Sequence, residues 1–275
     1  MKISVIIPSF NRSKTIRRAI NSILEQTYYP HEIIIIDDGS TDGTQSLIRN
    51  EYPSVKYYYQ LNKGVSNARN KGILKSTGDW IAFLDSDDEW FPNKLEEQKK
   101  SLEQNSTTFI SHTNEIWIRN GVRVNQKKKH QKYGGSIFDK CLDFCRISPS
   151  SVLIHKRVFD DVGNFDENLM ICEDYDLWIR ITSKYLVEFL DIPLIKKYGG
   201  HKDQLSKVKN GIENFRIQSL EKILLSKILT KEQELNAKEV LLKKFSIYSN
   251  GLKKRNKLEE LEHMKKKILN WTITV

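Results

Sequence analysis

The 275-residue sequence lacks the cysteine, proline and glycine patterns of several protein classes. Its three cysteines, Cys141, Cys145 and Cys172, are an odd number without CxxC spacing, so neither a disulfide framework nor a zinc site is predicted. Six prolines and 13 glycines are too few for a collagen-like or disordered chain. Because hydrophobic residues make up 39% of the chain, we expect a folded protein with a sizeable core.

Glycine-rich nucleotide-binding motifs are also missing. The sequence contains neither GxGxxG, which is typical of dinucleotide binding, nor GxxxxGK[ST], which forms the P-loop. Neither of these modes of nucleotide binding is therefore predicted.

Long hydrophobic runs and an N-terminal targeting segment are absent as well. Runs such as Ile33–Ile36 and Trp80–Leu84 are far shorter than the roughly 18 residues of a membrane-spanning helix. Residues Met1–Pro8 have a strand-like pattern without a small-residue cleavage site, so no secretory signal is expected. We expect a cytoplasmic protein, and a peripheral position on the inner face of the membrane stays open.

An excess of positive charge occurs at the C-terminal end. The net charge is +10, and residues 202–275 have 17 Lys and Arg against 9 Asp and Glu. The rest of the chain has the remaining 28 basic and 26 acidic residues. This distribution predicts either a peripheral membrane contact through 202–275 or helices that pack on the chain or mediate oligomerisation. Charge runs on helices are usually solvated, so we expect no nucleic-acid partner.

Apolar runs alternate with amphipathic stretches in the first hundred residues. This rhythm predicts an α/β fold with an open, mostly parallel sheet flanked by helices. A helix capped by Ser13 has Ile16, Ala19, Ile20, Ile23 and Leu24 on one face. The strands expected to be buried on both faces are Ile3–Pro8, Ile33–Ile36, Val55–Gln60 and Trp80–Leu84.

The second half has a different pattern. Residues Ile116–Val124, with Asn120-Gly121 at the centre, predict a β-hairpin, and a helix is expected from Asp174 to Lys184. Further strands are predicted at Val152–His155 and Leu186–Leu190. A capping box at Thr230–Gln233 and a helix end at Asn250-Gly251 divide the tail into about three basic helices. The predicted organisation is a catalytic domain at 1–201, with halves 1–100 and 101–201, and a helical region at 202–275.

Two acidic clusters follow predicted strands. Asp37-Asp38-Gly39-Ser40 follows one strand, and Asp85-Ser86-Asp87-Asp88 follows another. Ligands of open α/β sheets bind outside the carboxyl ends of the strands, so both clusters are expected to face one crevice. Carboxylates two residues apart suit Mg²⁺ or Mn²⁺. The alternative is that these residues only form the loops that end strands.

The order of several short motifs identifies a resemblance. The runs are Val5–Arg12, Ile36–Asp42, Asn62–Gly64, Ala68–Gly72, Gly78-Asp79, Phe83–Asp88 and Glu173–Trp178. Together they resemble the family 2 glycosyltransferases of the GT-A fold, most densely over about residues 1–100. That resemblance implies an enzyme that uses a nucleotide sugar.

The resemblance also implies roles for individual residues. The nucleotide-sugar set comprises Pro8, Ser9, Asn11, Asp38, Asn70, Asp85 and Ser86. In this set Asp38 binds the base, commonly uracil, and Asp85 lies near the ribose and sugar. Asp87 holds Mn²⁺ or Mg²⁺ on the diphosphate, with His201 as a second candidate ligand. Asp174 is the general base beside Glu173; alternatively, both acids only interact with the helix dipole.

The implied reaction is an inverting transfer from a nucleoside-diphosphate sugar, most often a UDP-sugar, to a hydroxyl of a glycan or lipid-linked acceptor in cell-surface polysaccharide biosynthesis. Asn214–Ile217 lacks the QxxRW-type motif of polymerising relatives, so a single addition is favoured. Two alternatives remain: a haloacid-dehalogenase-like phosphohydrolase, and a non-enzymatic protein that binds anionic surfaces or nucleic acid. The donor sugar and the oligomeric state are left open.

Overall fold

A computed structural model describes residues 1–200 and 211–273 of the chain. Its strands are β1 (Ile3–Ser9), β2 (Glu32–Asp37), β3 (Lys56–Tyr59), β4 (Trp80–Phe83), β5 (Glu89–Trp90), β6 (Ile110–Arg119), β7 (Val122–Val124), β8 (Leu153–His155) and β9 (Glu188–Gly199). Its α-helices are α1 (Ile16–Leu24), α2 (Thr44–Glu51), α3 (Val65–Lys75), α4 (Lys94–Gln104), α5 (Phe138–Asp143), α6 (Arg157–Val162), α7 (Glu173–Thr182), α8 (Ile212–Leu225), α9 (Lys231–Lys254) and α10 (Leu258–Ile273).

The first four strands are parallel to one another, in the order β3-β2-β1-β4. Strand β1 is buried on both faces, as its continuous apolar sequence predicts. Its residues Ile3, Val5 and Ile7 pack with α1, whereas Ile6 faces α3. Helix α3 approaches β1 so closely that a Cβ atom on Gly72 would lie 2.3 Å from Ile6 Cγ2. Glycine at this position therefore sets the distance between helix and sheet.

The second half continues the same sheet with mixed strand directions. Strand β8 is antiparallel to β4 and to β6, β9 is parallel to β6, and β5 and β7 pair antiparallel with β9 and β6. The β6–β7 hairpin has the predicted turn, with positive φ at both Asn120 and Gly121. The α/β architecture is thus confirmed: β1 to β4 are parallel strands connected by helices, and the second half combines one parallel pair, β6 and β9, with antiparallel pairs.

The predicted C-terminal helical region is confirmed as the three helices α8, α9 and α10. Their apolar faces join the main core: Ile217, Leu241 and Phe245 belong to the same buried cluster as Trp178 of α7. Helix α9 begins with the predicted capping box between Thr230 and Gln233. None of the described helices has both the length and the apolarity that crossing a membrane requires.

Three local predictions are wrong. Helix α1 begins only at Ile16, so Thr15 rather than Ser13 precedes it and no side-chain cap forms; the Ser13 amide donates to Asp42. Strand β3 lies at the edge of the sheet and is partly exposed. Helix α9 continues through Gly251 to Lys254, because Leu252 is buried against the core.

Candidate active site

The loops after β1 and β2 are joined by hydrogen bonds. The Asn11 amide donates to Ser40 Oγ at 2.8 Å, and Asn11 Oδ1 accepts from the Thr41 amide at 2.8 Å. Asn11 itself has the left-handed φ of 52°, which asparagine tolerates better than most residues. Ser9 lies next to this junction, and its buried Oγ has no hydrogen-bond partner among the described residues. Two sequence motifs therefore form one wall of the crevice.

Asp38 has a carboxylate that is held in place before any ligand arrives. Its Oδ1 accepts from Gln60 Nε2 at 2.7 Å and from the Lys63 amide at 2.9 Å, and its Oδ2 accepts from the Gly64 amide at 2.8 Å. The side chain is almost completely buried. Each carboxylate oxygen can accept about two hydrogen bonds, so Oδ2 retains capacity for one further donor.

A cleft of about 460 Å³ lies beside this wall and is lined by Asn11–Thr15, Asp42 and Asp87. Asn11 and Asp87 come from different motifs, and the fold brings them to the same opening. The Asp87 backbone carbonyl accepts a hydrogen bond from the guanidinium of Arg18, whose cation also covers the Tyr198 ring at 3.6 Å. Helix α1 therefore holds the loop that carries Asp87.

The Asp85–Asp88 loop combines exposed and buried carboxylates. Asp85 and Asp87 are partly exposed, whereas Asp88 is buried and accepts from Ser150 Oγ at 2.6 Å and from the Tyr198 amide at 2.9 Å. Burial, followed by the charges of Asp87 and Asp85, raises the pKa of Asp88 well above its usual value. The loop therefore has an excess of negative charge on hard oxygen donors.

Arg69 of α3 joins this loop to α7. Its Nη2 donates to Asp85 Oδ1 at 2.8 Å and its Nη1 to Glu173 Oε1 at 2.7 Å, with only 4% of the side chain exposed. Despite this ion pair, burial and the neighbouring Asp174 raise the pKa of Glu173 to about 7. A single buried guanidinium thus connects the two acidic motifs.

Asp174 lies in the first turn of α7 and is partly exposed. Its Oδ1 accepts from the Tyr175 amide at 2.7 Å, and its Oδ2 accepts from Cys145 Sγ at 3.4 Å. Cys172, directly before the helix, has a left-handed φ of 63°, a strained conformation for cysteine. Contacts on both oxygens orient this carboxylate, while its exposure leaves it open to a ligand.

Lys197 of β9 supplies positive charge to the same region. Its ammonium group donates to Ser148 Oγ at 3.2 Å. Burial lowers the pKa of Lys197, but four carboxylates outweigh burial and raise the pKa above its usual value: Glu115, Asp88, Asp85 and Asp174. Glu115 is itself buried and paired with Lys132 at 3.0 Å. Lys197 therefore lies within the electrostatic range of both acidic motifs.

The structure brings together most of the predicted site residues. Asn70 differs, because its side chain bonds to the backbone of Phe165 and to Glu167 and thus holds a loop of the second half. His201 lies outside the described residues. Sequence reasoning missed Arg69, although it stands within the quoted run Ala68–Gly72, and it missed Lys197, for which the sequence offers only a lysine pair in a strand.

The mixed sheet with a carboxylate-lined crevice at its strand ends agrees with the α/β fold of the GT-A type that the sequence motifs imply. Glycosyl transferase family 2 matches the chain over residues 4–163. The chain is 38% identical over 210 residues to an uncharacterized glycosyltransferase of Rickettsia bellii (strain RML369-C), covering 76% of this chain and 29% of that protein. It is 34% identical over 190 residues to the Escherichia coli UDP-Glc:alpha-D-GlcNAc-diphosphoundecaprenol beta-1,3-glucosyltransferase WfgD, covering 65% and 69%. The chain belongs to glycosyltransferase family 2.

A solved structure shows the same fold. S. aureus TarS 1–349 in complex with UDP-GlcNAc superposes with a TM-score of 0.74 over 98% of this chain and 79% of that chain, at 21% identity. The chain spans 29% to 32% of the length of three Rickettsia relatives. Family membership confirms the resemblance that the sequence motifs indicate, and it favours a transferase over the phosphohydrolase alternative.

Proposed function

We propose that the chain transfers a sugar, with inversion, from a UDP-sugar to a hydroxyl of a glycan or lipid-linked acceptor in cell-surface polysaccharide biosynthesis. The observation that carries this proposal is the Arg69 bridge. It joins Asp85, on the donor side, to the start of the helix that presents Asp174. Residues 1–100 then form the donor half, residues 101–201 the acceptor half, and residues 202–275 a helical extension.

The donor site consists of the joined loops of the first half. Pro8, Ser9 and Asn11 line the nucleotide pocket, and Asp38 accepts a hydrogen bond from the base. The fixed geometry of Asp38 and the unpartnered Ser9 hydroxyl support this assignment. The UDP-Glc in the name of WfgD and the UDP-GlcNAc complex of TarS support uracil as the base. Asp85 and Ser86 face the ribose and sugar, and Asn70 acts by holding the loop at Phe165–Glu167.

A divalent cation fits the Asp85–Asp88 loop. The described residues contain no cluster of three or more His, Cys, Asp or Glu side chains arranged around a metal. Mg²⁺, however, is commonly held by one or two carboxylates together with substrate phosphates. We assign Asp87 as the carboxylate that holds Mn²⁺ or Mg²⁺, with His201 as the second predicted ligand. A metal bound there would supply positive charge to the leaving nucleoside diphosphate.

Asp174 is the general base of the proposed transfer. It accepts the proton of the acceptor hydroxyl while that oxygen attacks the anomeric carbon of the donor. The Tyr175 amide and the Cys145 thiol keep the carboxylate oriented, and Arg69 keeps the start of α7 beside the donor loop. Because one direct displacement replaces the leaving group, the anomeric configuration is inverted.

Binding of UDP tests the donor and metal assignments. UDP with Mn²⁺ should raise the melting temperature more than UDP with EDTA, since a ligand that binds only the folded state stabilises it. Asp87→Asn should remove this metal dependence and leave the melting temperature of the free protein unchanged. GDP, CDP and dTDP serve as controls for base selectivity. The metal assignment would be wrong if UDP raised the melting temperature equally in Mn²⁺ and in EDTA and if Asp87→Asn did not alter this result.

A further inference from the structure

Contacts with the rest of the chain establish how the C-terminal helices are oriented relative to the candidate active site. Cys172 Sγ lies 3.8 Å from the carbonyl of Ile212, so α8 begins next to the residues that precede Asp174. We call this side of the molecule the acceptor end. The opposite end contains the turn between α8 and α9, where Gln233 bonds to the carbonyl of Ser183.

Helix α9 runs towards the acceptor end and projects beyond it. Asn236 bonds to Asp139 near the start of α5, and Lys244 bonds to the Asp143 carbonyl at the end of α5 and to Glu213 in the first turn of α8. Ten residues of α9 follow Lys244. At a rise of about 1.5 Å per residue they extend about 15 Å past the start of α8.

The tip between α9 and α10 has unpaired positive charge and an exposed apolar side chain. Lys253, Lys254 and Arg255 form no ion pair within residues 1–200 and 211–273, whereas Lys257 is paired with Glu260. Glu259 of the same turn likewise forms no ion pair with any residue that the structure describes. Leu258 is 60% exposed. Buried Leu252 and Met264 hold the helical hairpin together behind this tip.

A second basic patch lies at the acceptor end. It is the exposed segment Lys127–Lys129, which the guanidinium of Arg146 holds by binding the Lys129 carbonyl. The following His130 ring packs on Phe144 at 4.9 Å, and Phe144 directly precedes Cys145, the thiol that contacts Asp174. In the part of the chain that the structure describes, the three lysines of this patch form no ion pairs.

We propose that the acceptor end docks on an anionic lipid bilayer through Lys127–Lys129 and Lys253–Arg255. Exposed basic residues around an apolar side chain match the interfacial region of such a bilayer. The apolar faces of α8 to α10 pack on the core, so docking uses only their projecting tip. This inference rests on the proposed lipid-linked acceptor, because docking at this end would present Asp174 to a hydroxyl at the membrane surface.

Vesicle binding by the full chain tests the proposal directly. The protein should co-sediment with vesicles of phosphatidylcholine and phosphatidylglycerol at low salt, and this binding should weaken as salt rises. Each basic residue strengthens such binding about fivefold, so K253Q/K254Q/R255Q should bind about 100-fold more weakly. The matched control K227Q/K231Q/K238Q removes three charges near the opposite end and should bind like the unaltered protein.

Hydrogen exchange gives an independent measure of orientation. On anionic vesicles, backbone amides of residues 126–131 and 253–260 should gain protection, whereas those of residues 226–231 should not. Equal loss of binding in the two triple variants, no vesicle binding at low salt, or preferential binding to RNA that displaces the vesicles would overturn the proposal.

UDP binding in the same preparations separates this proposal from the proposed function. If UDP raises the melting temperature but the protein does not bind vesicles, docking is contradicted and the transferase assignment stays intact. Vesicle binding without any UDP shift contradicts the donor assignment, and docking then stands on the vesicle and exchange data. Neither triple variant alters a residue of the candidate active site.

Discussion

The donor half and the acceptor half of the candidate site are held in different ways. In the donor half, adjacent motif loops bond to one another, as Asn11 does to Ser40 and Thr41. In the acceptor half, Asp174 is contacted by Cys145 and stands beside Glu173, which Arg69 holds from 104 residues away. The difference teaches that the loops after β1 and β2 are fixed by contacts within the first 64 residues, whereas the start of α7, like the Asp85–Asp88 loop, depends on distant elements.

Asp174→Asn should have the largest effect and should act on the acceptor half alone. Removing a general base lowers turnover by about 10²–10⁴-fold, while UDP affinity should be unchanged because its contacts lie in the donor half. The measurement is transfer to the acceptor, with NMR of the product linkage. Glu173→Gln is the control, and it should lower turnover less.

Near-normal turnover in Asp174→Asn would contradict its role as the base. A product with retained anomeric configuration would contradict the one-step mechanism.

Arg69→Met should break the connection between the two halves. Removing one partner of a buried ion pair costs about 3–5 kcal/mol, because Asp85 and Glu173 are then left close together without their cation. Chemical denaturation should show this loss in the free energy of unfolding. Arg69→Lys retains the charge but lacks the planar guanidinium that reaches both carboxylates. We therefore expect an intermediate loss in the free energy of unfolding.

Turnover and UDP affinity distinguish a positioning role of Arg69 from a purely structural one. At a temperature where both variants remain folded, Arg69→Lys should lower turnover more than it weakens UDP binding. Equal changes in both quantities would show that Arg69 only supports the fold.

Gly72→Ala should have the smallest effect, and it should be confined to the donor half. The added Cβ atom would lie 2.3 Å from Ile6 Cγ2, so α3 or β1 must shift. Overpacking of this kind costs about 1–3 kcal/mol, from which the better helix propensity of alanine subtracts up to about 1 kcal/mol. The difference in the free energy of unfolding between the variant and the unaltered protein measures the net of these two effects.

A double-mutant cycle with Ile6→Ala supplies the control for Gly72→Ala. The Ile6→Ala background lacks the side-chain atoms of Ile6 that the added Cβ atom would contact, so Gly72→Ala should no longer destabilise the protein. If Gly72→Ala lowered the free energy of unfolding equally in both backgrounds, close packing against Ile6 would not be the cause of the destabilisation.

Much of the fold was predictable because its signals are local. The strands β1, β2 and β4, the Asn120-Gly121 hairpin turn and the Thr230–Gln233 capping box all follow from neighbouring residues. Wrong predictions arose where packing outweighed local preference. Gly251 resembles a helix end, but burial of Leu252 continues α9 through it, and β3 is apolar in sequence although it lies at the sheet edge.

The sequence alone determined the α/β class, the family and the acidic motifs, because these depend on residue order and on short spacings. Tertiary structure alone decided the role of Arg69, the position of Lys197 among four carboxylates and the direction of α9. These features join residues from separate elements, whose distances no local pattern encodes. A buried cation is identified only by the acids that surround it, and the chain brings those acids together only when it folds.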